Sequence, residues 1–312
     1  MSLFSEKNIK PMLIGAEGPA FDDPNWIYEL KLDGVRCIAY LDKSGTELRN
    51  KRNLKVTRIY PELSSIHKQI RKPCILDGEL LVMKDGKPFF AEIQRRALMS
   101  DLFKIQLAAA KLPVSFTAFD ILWQDEKDLY TLPLMERKAI LQKAVSESAQ
   151  LSVSRYIEGK GTALYQLAEQ QGLEGIVAKR KESQYFFDKR TKDWIKTKYL
   201  LDDDFVVCGY ILKSDHMTSI VLGQYDGSTL IYKGHVTLGV SGKDFQRIKA
   251  HKALPAPPIP VPEGRGNEQA VWISPDLVCT VKFMERTANG GMRQPVFKGL
   301  REDKAAEDCK AL

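Results

Sequence analysis

The stretch that decides the fold is Tyr28-Glu29-Leu30-Lys31-Leu32-Asp33-Gly34-Val35-Arg36. Read with a period of two, its residues alternate between an apolar face and a face that carries Lys31 among carboxylates. Gly34 lets the backbone turn or approach a bound group, and Arg36 is a planar, permanently charged donor suited to phosphate. The pattern predicts a short strand that presents a nucleophilic lysine. Read alone, the stretch is better explained as a solvated, charged strand face, and only the motifs further along the chain favour the nucleophile.

Two later strands also carry charges on one face. Asp77 and Glu79 lie two residues apart in an apolar run, residues 75–82. Acids without partners are costly to bury, so we expect this pair to line a polar cleft rather than a core. By the same period, Lys196 and Lys198 share a face of a strand near residue 195.

The size and composition of the chain indicate a two-domain protein. It has 312 residues, of which 44% are hydrophobic, and a formal net charge of +7. This charge favours a polyanionic partner such as nucleic acid. The five cysteines are scattered without a C-x-x-C pair, which argues against a zinc site or a disulfide framework. No apolar run is long enough for a signal peptide or a membrane span, so we expect a cytoplasmic protein without membrane contact.

The pattern of residues changes near position 202. Before it, strands alternate with helices, including helices expected from Pro61 to about Lys72 and from about Phe90 to Lys111. After the acidic triplet at 202–204, β-branched runs predict a small antiparallel barrel. The expected domains are residues 1–201, of the α+β class, and residues 202–312.

Several short motifs follow one another in a fixed order. They are Lys31-Leu32-Asp33-Gly34-Val35-Arg36, Asp77-Gly78-Glu79, Phe119-Asp120, Glu174-Gly175-Ile176-Val177-Ala178-Lys179 and Trp194-Ile195-Lys196-Thr197-Lys198. This series resembles the nucleotidyltransferase motifs of ATP-dependent DNA ligases. The closing Arg293-x-Pro295-x-Phe297-x-x-x-Arg301-x-Asp303-Lys304 is similar to the last motif of bacterial end-joining and stand-alone ligases. The resemblance spans nearly the whole chain.

The resemblance implies a fold and a reaction. The fold is an antiparallel-sheet nucleotidyltransferase (adenylation) domain followed by a β-barrel OB-fold domain. The reaction is the sealing of nicks in duplex DNA. In it, Lys31 takes AMP from ATP, AMP passes to the 5′-phosphate, and the 3′-hydroxyl then forms the phosphodiester bond.

The resemblance also implies which residues bind the nucleotide. They are Glu29, Arg36, Glu79, Phe119, Lys196, Lys198, Arg293, Arg301 and Lys304. Arg36 would contact the sugar or terminal phosphates, Glu79 the ribose hydroxyls, and Phe119 the adenine ring. Lys196 and Lys198 would bind the α-phosphate.

Metal, DNA and partner assignments follow from the same resemblance. Glu79 and Glu174 would hold Mg²⁺ or Mn²⁺. Arg52 would bind the 5′-phosphate of the nick, although Lys51 stands where the family usually has serine. We expect nicked duplex DNA as the substrate, a repair polymerase or end-binding protein as a recruiting partner, and a monomeric enzyme.

The chemistry of lysine agrees with these assignments. A free lysine is almost entirely protonated at neutral pH, and only the uncharged amine is a nucleophile. Neighbouring cations favour the uncharged form and also neutralise the phosphate as pyrophosphate leaves. Lys196 and Lys198, with a bound metal ion, would serve both purposes.

Other functions remain open at this stage. An RNA ligase or an mRNA-capping nucleotidyltransferase shares the lysine chemistry but differs in nucleotide and acceptor. An NAD-dependent ligase is disfavoured, because the 30 residues before Lys31 are too few for that family's extra domain and no four-cysteine cluster occurs. A nucleic-acid-binding OB module with an inactive partner domain is a further alternative. The intact motif lysines and glutamates argue against it.

Overall fold

The computed structural model describes residues 2–212, 218–287 and 290–311. The chain divides into two compact units, Met1–Tyr199 and Leu200–Leu312. This division falls two residues before the boundary that we expected between residues 201 and 202. The assignment of residues 1–201 and 202–312 as functional domains stays a prediction. None of the helices in the described ranges is long and apolar enough to cross a membrane.

The first unit combines antiparallel sheets with helices. Its strands are β1 (Leu13–Glu17), β2 (Trp26–Leu30), β3 (Val35–Asp42), β4 (Gly45–Asn50), β5 (Cys74–Lys84), β6 (Lys87–Pro88), β7 (Val114–Gln124), β8 (Lys127–Asp128), β9 (Leu151–Val153), β10 (Tyr156–Glu158), β11 (Gly175–Arg180) and β12 (Arg190–Lys198). Its α-helices are α1 (Leu3–Glu6), α2 (Phe90–Ala97), α3 (Leu102–Lys111), α4 (Leu134–Ala144) and α5 (Gly161–Gln170). One sheet has the order β1-β12-β11-β2-β10, and the other β4-β3-β5-β7-β8 with β6 beside β5 and β9 beside β7. Only β1 with β12 and β9 with β7 pair in parallel among these described strands.

The stretch around Lys31 passes from one sheet to the other. β2 ends at Leu30 in the first sheet, and β3 begins at Val35 in the second. Gly34 is required at this crossing, because a Cβ there would lie 2.2 Å from the Leu80 carbonyl oxygen. The expected polar face of β2 is wrong in part, because Ile27 is fully buried and Glu29 is 2% exposed. The Glu29 carboxylate is covered by side chains that bond to it, including Lys138 from α4.

Two helix predictions need correction. Residues 61–72 form 3₁₀ turns, Pro61–Leu63 and Ile66–Gln69, rather than an α-helix. Leu63 and Ile66 are both fully buried, and their spacing of three matches a 3₁₀ turn. The segment expected as one helix from 90 to 111 is split into α2 and α3, because the Asp101 side chain accepts a hydrogen bond from the Lys104 amide (3.0 Å) and caps a new helix.

The second unit is a curled antiparallel sheet with one short helix among its described residues, as the β-branched pattern predicted. Its strands are β13 (Leu201–Leu212), β14 (Thr218–Asp226), β15 (Thr229–Val236), β16 (Ala253–Leu254), β17 (Val271–Ile273), β18 (Val278–Phe283) and β19 (Val296–Arg301), and its helix is α6 (Gly242–Lys249). β13 is the central strand, pairing with β14, β17 and β18 along its length. Phe205, Phe283 and Phe297 fill the core that this curvature encloses.

A buried ion pair ties α4 to β7. Asp120 and Arg137 are both inaccessible to solvent, and two parallel bonds of 2.8 and 2.9 Å join them. Arg137 also donates to the carbonyls of Leu132 and Ser183. Burial alone would raise the pKa of Asp120, but the Arg137 charge holds that pKa below its usual value.

Removing Arg137 should therefore destabilise the first unit strongly. We expect Arg137→Met to lower the free energy of unfolding by about 3–5 kcal/mol, because it leaves the Asp120 charge buried and unpaired. Lys72→Met, which removes an exposed pair with Asp125, should cost less than about 1 kcal/mol. Urea unfolding measures both, and equal losses in the two variants would contradict the role given to the buried pair.

Candidate active site

Lys31 lies at the end of β2 and forms an ion pair with Glu174. The Lys31 Nζ is 2.7 Å from a Glu174 carboxylate oxygen, and the side chains are 20% and 5% exposed. The Lys31 amide donates to the Gly175 carbonyl (2.9 Å), which fixes the end of β2 against the start of β11. Burial raises the pKa of Glu174, although the Lys31 charge opposes this shift. The structure thus brings together the predicted nucleophile and a predicted metal ligand.

Arg36 is held on the second sheet by Asp77. The guanidinium donates two bonds to the Asp77 carboxylate, of 2.6 and 2.5 Å, and the Tyr185 hydroxyl donates a third (2.6 Å). Asp77 is fully buried, so the expectation that it lines a cleft is wrong. Its partners Arg36 and Tyr185 satisfy the charge in place of water. The Arg36 guanidinium also lies 4.5 Å from the centre of the Phe119 ring.

Glu79 does line the cleft, as predicted. It lies opposite Arg36 in the register of β3 and β5. Burial raises the pKa of Glu79 to about 8, although the charges of Arg36 and Lys31 oppose this shift. Burial thus favours the neutral, protonated form of this carboxyl group.

Glu29 is the centre of a buried charge cluster that the sequence did not reveal. Its carboxylate accepts hydrogen bonds from Lys138, Lys179 (2.9 Å) and Ser154 (3.2 Å). Burial would raise the pKa of Glu29, but the two lysine charges keep it low. Lys179 is recognisable from the motif that begins at Glu174, whereas nothing in the sequence around Lys138 on α4 indicates a role.

Lys179 also contacts the predicted adenine-stacking residue. Its Nζ lies 4.4 Å from the ring centre of Phe119 and 4.5 Å from that of Trp194. The two rings meet edge to face, 6.2 Å apart. Burial lowers the pKa of Lys179 to about 8, although Glu29 opposes this shift. Phe119 is 7% exposed, so little of its ring is open in this state.

Lys196 and Lys198 lie on β12, as predicted. Lys198 pairs with Gly175 and Lys196 with Val177 in the register with β11, so both lie beside the Lys31–Glu174 pair. Lys196 is 2.9 Å from Glu17. The pKa of Lys198 is lowered by burial and by the Lys196 charge.

A cleft of about 100 Å³ joins most of these groups. Its lining includes Glu29, Lys31, Arg36, Glu79, Phe119 and Lys179. The described residues contain no group of three or more His, Cys, Asp or Glu that could hold a metal ion.

Glu174, Lys196 and Lys198 are not among the residues that line this cleft. The remaining predicted residues also lie outside it. Arg52 is exposed in the turn after β4, where the Asn50 side chain accepts from its amide (3.0 Å). In the second unit, Arg301 and Lys304 each lie 2.9 Å from one Asp204 carboxylate oxygen, and Arg293 lies 3.1 Å from Glu285.

The motifs match two family descriptions. Residues 17–198 match the ATP dependent DNA ligase domain, and residues 213–304 match the ATP dependent DNA ligase C terminal region. The chain belongs to the ATP-dependent DNA ligase family. Its α+β fold is accordingly a nucleotidyltransferase domain followed by an OB-fold domain, as predicted.

The similar proteins include end-joining ligases. The chain is 28% identical over 322 residues to the multifunctional non-homologous end joining protein LigD of Mycolicibacterium smegmatis, covering 97% of this chain and 40% of that protein. It thus spans less than half the length of that relative. It is also 28% identical to the SPbeta prophage-derived DNA ligase-like protein LigB of Bacillus subtilis, over 94% of this chain and 99% of that one.

A solved ligase structure has the same fold. Mycobacterial DNA ligase D complexed with ATP and MES superimposes with a TM-score of 0.58 at 26% identity, covering 98% of this chain and 99% of that one. ATP use is therefore a property of the family to which this ligase chain belongs. No metal ion is shown by these similarities.

The pKa of Glu79 predicts how stability depends on pH. Because the folded-state pKa is about 8 and the usual value is 4.5, the folded chain holds this proton more tightly than the unfolded chain. The resulting stabilisation is complete below the unfolded pKa and is lost as pH rises through about 8. Glu79→Gln removes this titration. Between about pH 5 and pH 8 we therefore expect wild type to lose stability relative to the variant.

Urea unfolding of wild type and Glu79→Gln at several pH values measures the difference. Glu169→Gln on the exposed face of α5 is the matched control and should show a much smaller pH-dependent difference. A difference between wild type and Glu79→Gln that stays constant with pH would contradict the raised pKa.

Proposed function

We propose that this chain seals nicks in duplex DNA with ATP, through a covalent Lys31–AMP intermediate. The observation that carries the proposal is the Lys31–Glu174 pair, which fixes a lysine amine at a cleft. Glu29, Arg36, Glu79, Phe119 and Lys179 also line this cleft. Membership in the ATP-dependent DNA ligase family supports it. In the first step, the Lys31 amine would bond to the α-phosphorus as the bond to pyrophosphate breaks.

Lys31 has to lose a proton before it can react. The Glu174 carboxylate accepts a hydrogen bond from the ammonium and so orients it at the end of β2. Lys196 and Lys198 would hold the α-phosphate oxygens, where their positive charges stabilise the negative charge that builds up during the reaction. Their position on the strand next to β11 supports this role.

Adenine and ribose would lie against the second sheet. Phe119, Trp194 and Lys179 would form the wall for the base, with Glu29 beside them. Glu79 would bind the ribose hydroxyls, and Arg36 would contact the sugar or terminal phosphates. The Asp77 carboxylate, which holds Arg36 in a bidentate pair, supports a fixed position for this guanidinium.

Glu79 and Glu174 fit a divalent ion that arrives with the nucleotide. Mg²⁺ commonly takes one or two carboxylates and completes its shell with phosphate oxygens and water. A bound Mg²⁺ or Mn²⁺ would polarise the reacting phosphate. The low exposure of Glu174 and its raised pKa support a carboxylate that gains from a nearby cation.

Later steps would use DNA. Arg52, exposed in the turn after β4, would bind the 5′-phosphate of a nick. Residues 1–201 would carry the adenylation chemistry, and Arg293, Arg301 and Lys304 in residues 202–312 would contact ATP. The end-joining names of the LigD relatives support recruitment by a repair polymerase or an end-binding protein. We further propose a monomeric, cytoplasmic enzyme.

Replacing Lys31 should separate the two halves of the reaction. Lys31→Ala should abolish transfer of AMP from ATP to the protein, because no other amine replaces it at the end of β2. The same variant should still seal a nick that already carries AMP on its 5′-phosphate. Gel assays of both steps test this prediction, and normal protein–AMP formation by Lys31→Ala would contradict the proposal.

Replacing Lys196 should slow the first step. Lys196→Met should reduce AMP transfer roughly 10²–10³-fold, because it removes a charge from the site where the phosphate becomes more negative. Lys192→Met, an exposed position on the same strand, is the matched control and should retain near wild-type rates. Single-turnover kinetics with labelled ATP measure both variants, and similar rates in the two would remove Lys196 from the phosphate site.

A further inference from the structure

Lys233, in the second unit, is the extra residue of a β-bulge. The pairing of β15 with β14 passes from Gly234 opposite Leu222 directly to Tyr232 opposite Gly223. Lys233 therefore has no opposite residue on β14. Gly234 has φ +109°, in the region that favours glycine, which permits the irregular backbone. Bulges redirect side chains and occur frequently beside functional sites.

The Lys233 ammonium has no partner of opposite charge in contact with it. The residue is 8% exposed, and its side chain has no hydrogen bond or ion pair with any of the residues that the structure describes. Burial and the nearby Arg286 charge lower the pKa of Lys233, whereas the charges of Asp226 and Asp203, which do not contact it, oppose this shift. A buried ammonium with no acid in contact with it is costly, so an anion from outside the chain would stabilise it.

The neighbouring Tyr232 supplies a second unsatisfied donor. Its hydroxyl is buried and has no hydrogen-bond partner within the described part of the chain. Both residues line a cleft of about 480 Å³, a size typical of small-molecule sites. Arg265, His235 and Thr287 also line it.

The hydrogen-bond donors that line this cleft indicate which chemical groups it can bind. The lining residues carry an ammonium, a guanidinium and hydroxyl groups, and no carboxylate occurs among the described lining residues. Such a set suits a group with several negatively charged oxygens. An apolar ligand would leave these donors unsatisfied.

We propose that this cleft binds a phosphate group, with Lys233 as the central charge and Tyr232 and Arg265 as further donors. Which molecule carries this phosphate group rests on the proposed ligase function, whose two candidates are the triphosphate of ATP and the backbone of DNA. The site itself does not depend on that function, because its donors are present whether or not Lys31 reacts.

The test observes the cleft directly in the full chain. Backbone amide signals of residues 232–235 are followed by NMR while inorganic pyrophosphate, or a short nicked duplex, is added without ATP. We expect at least one of the two to shift these signals in a saturable manner. Binding of pyrophosphate alone assigns the site to the triphosphate, and binding or displacement by the duplex assigns it to the DNA backbone.

Variants test whether Lys233 is required for binding of pyrophosphate or the duplex. Lys233→Met should weaken binding at least tenfold, whereas Lys233→Arg and the exposed control Lys249→Met should bind within about twofold of wild type. Tyr232→Phe removes only an unpartnered hydroxyl, so it should fold normally and bind several-fold more weakly. The proposal is overturned if neither probe shifts these signals, or if Lys233→Met and Tyr232→Phe bind as wild type.

Because the signals are read without turnover, failure of Lys31 to form protein–AMP would leave this result unaffected. Thermal unfolding without added anion provides a second measurement. Lys233→Met should be at least as stable as wild type, because it removes a buried charge that lacks a partner. A clear loss of stability would instead show that Lys233 has an internal structural role, and would overturn the proposal.

Discussion

The ion pair between Lys31 and Glu174 determines where chemistry can occur in this chain. A lysine that is only 20% exposed needs a counter-charge, and the Glu174 carboxylate, 2.7 Å away, provides it. The pair also joins neighbouring strands, because β2 ends just before Lys31 and β11 begins just after Glu174. The position of the nucleophile is thus set by backbone pairing as well as by charge.

The same constraint recurs at each buried charge around the cleft. Arg36 is neutralised by Asp77, Glu29 by two lysines, and Asp120 by Arg137. Each of these pairs fixes a side chain in one geometry, which is the property that a nucleotide site requires. Lys233 in the second unit departs from this rule, and that departure is why we infer an external anion there.

The sequence predicted the elements that follow local patterns. Lys196 and Lys198 lie on one strand, as the period of two predicted, and Glu79 lines the cleft. The β-branched runs after residue 205 form the expected curled sheet. Features that depend on contacts between residues far apart in the sequence were not predicted. The helix expected from residue 61 became 3₁₀ turns, because burial of Leu63 and Ile66 overrode the signal given by Pro61.

Ion-pair partners were the least predictable part of the site. Asp77 was expected in a cleft, but it is buried because Tyr185, 108 residues further along the chain, donates to it. Lys138 reaches Glu29 from a helix whose local sequence carries no motif. The bulge at Lys233 depends on a register shift between two strands, which no single-strand pattern encodes.

The central claim is that Lys31, and no other lysine, becomes covalently attached to AMP. Mass spectrometry of the purified chain after incubation with ATP and Mg²⁺, followed by peptide mapping, identifies the modified residue directly. The account predicts one acid-stable AMP on the peptide that contains Lys31, and none after incubation with GTP. AMP on another lysine such as Lys179, or modification by GTP in place of ATP, would contradict it.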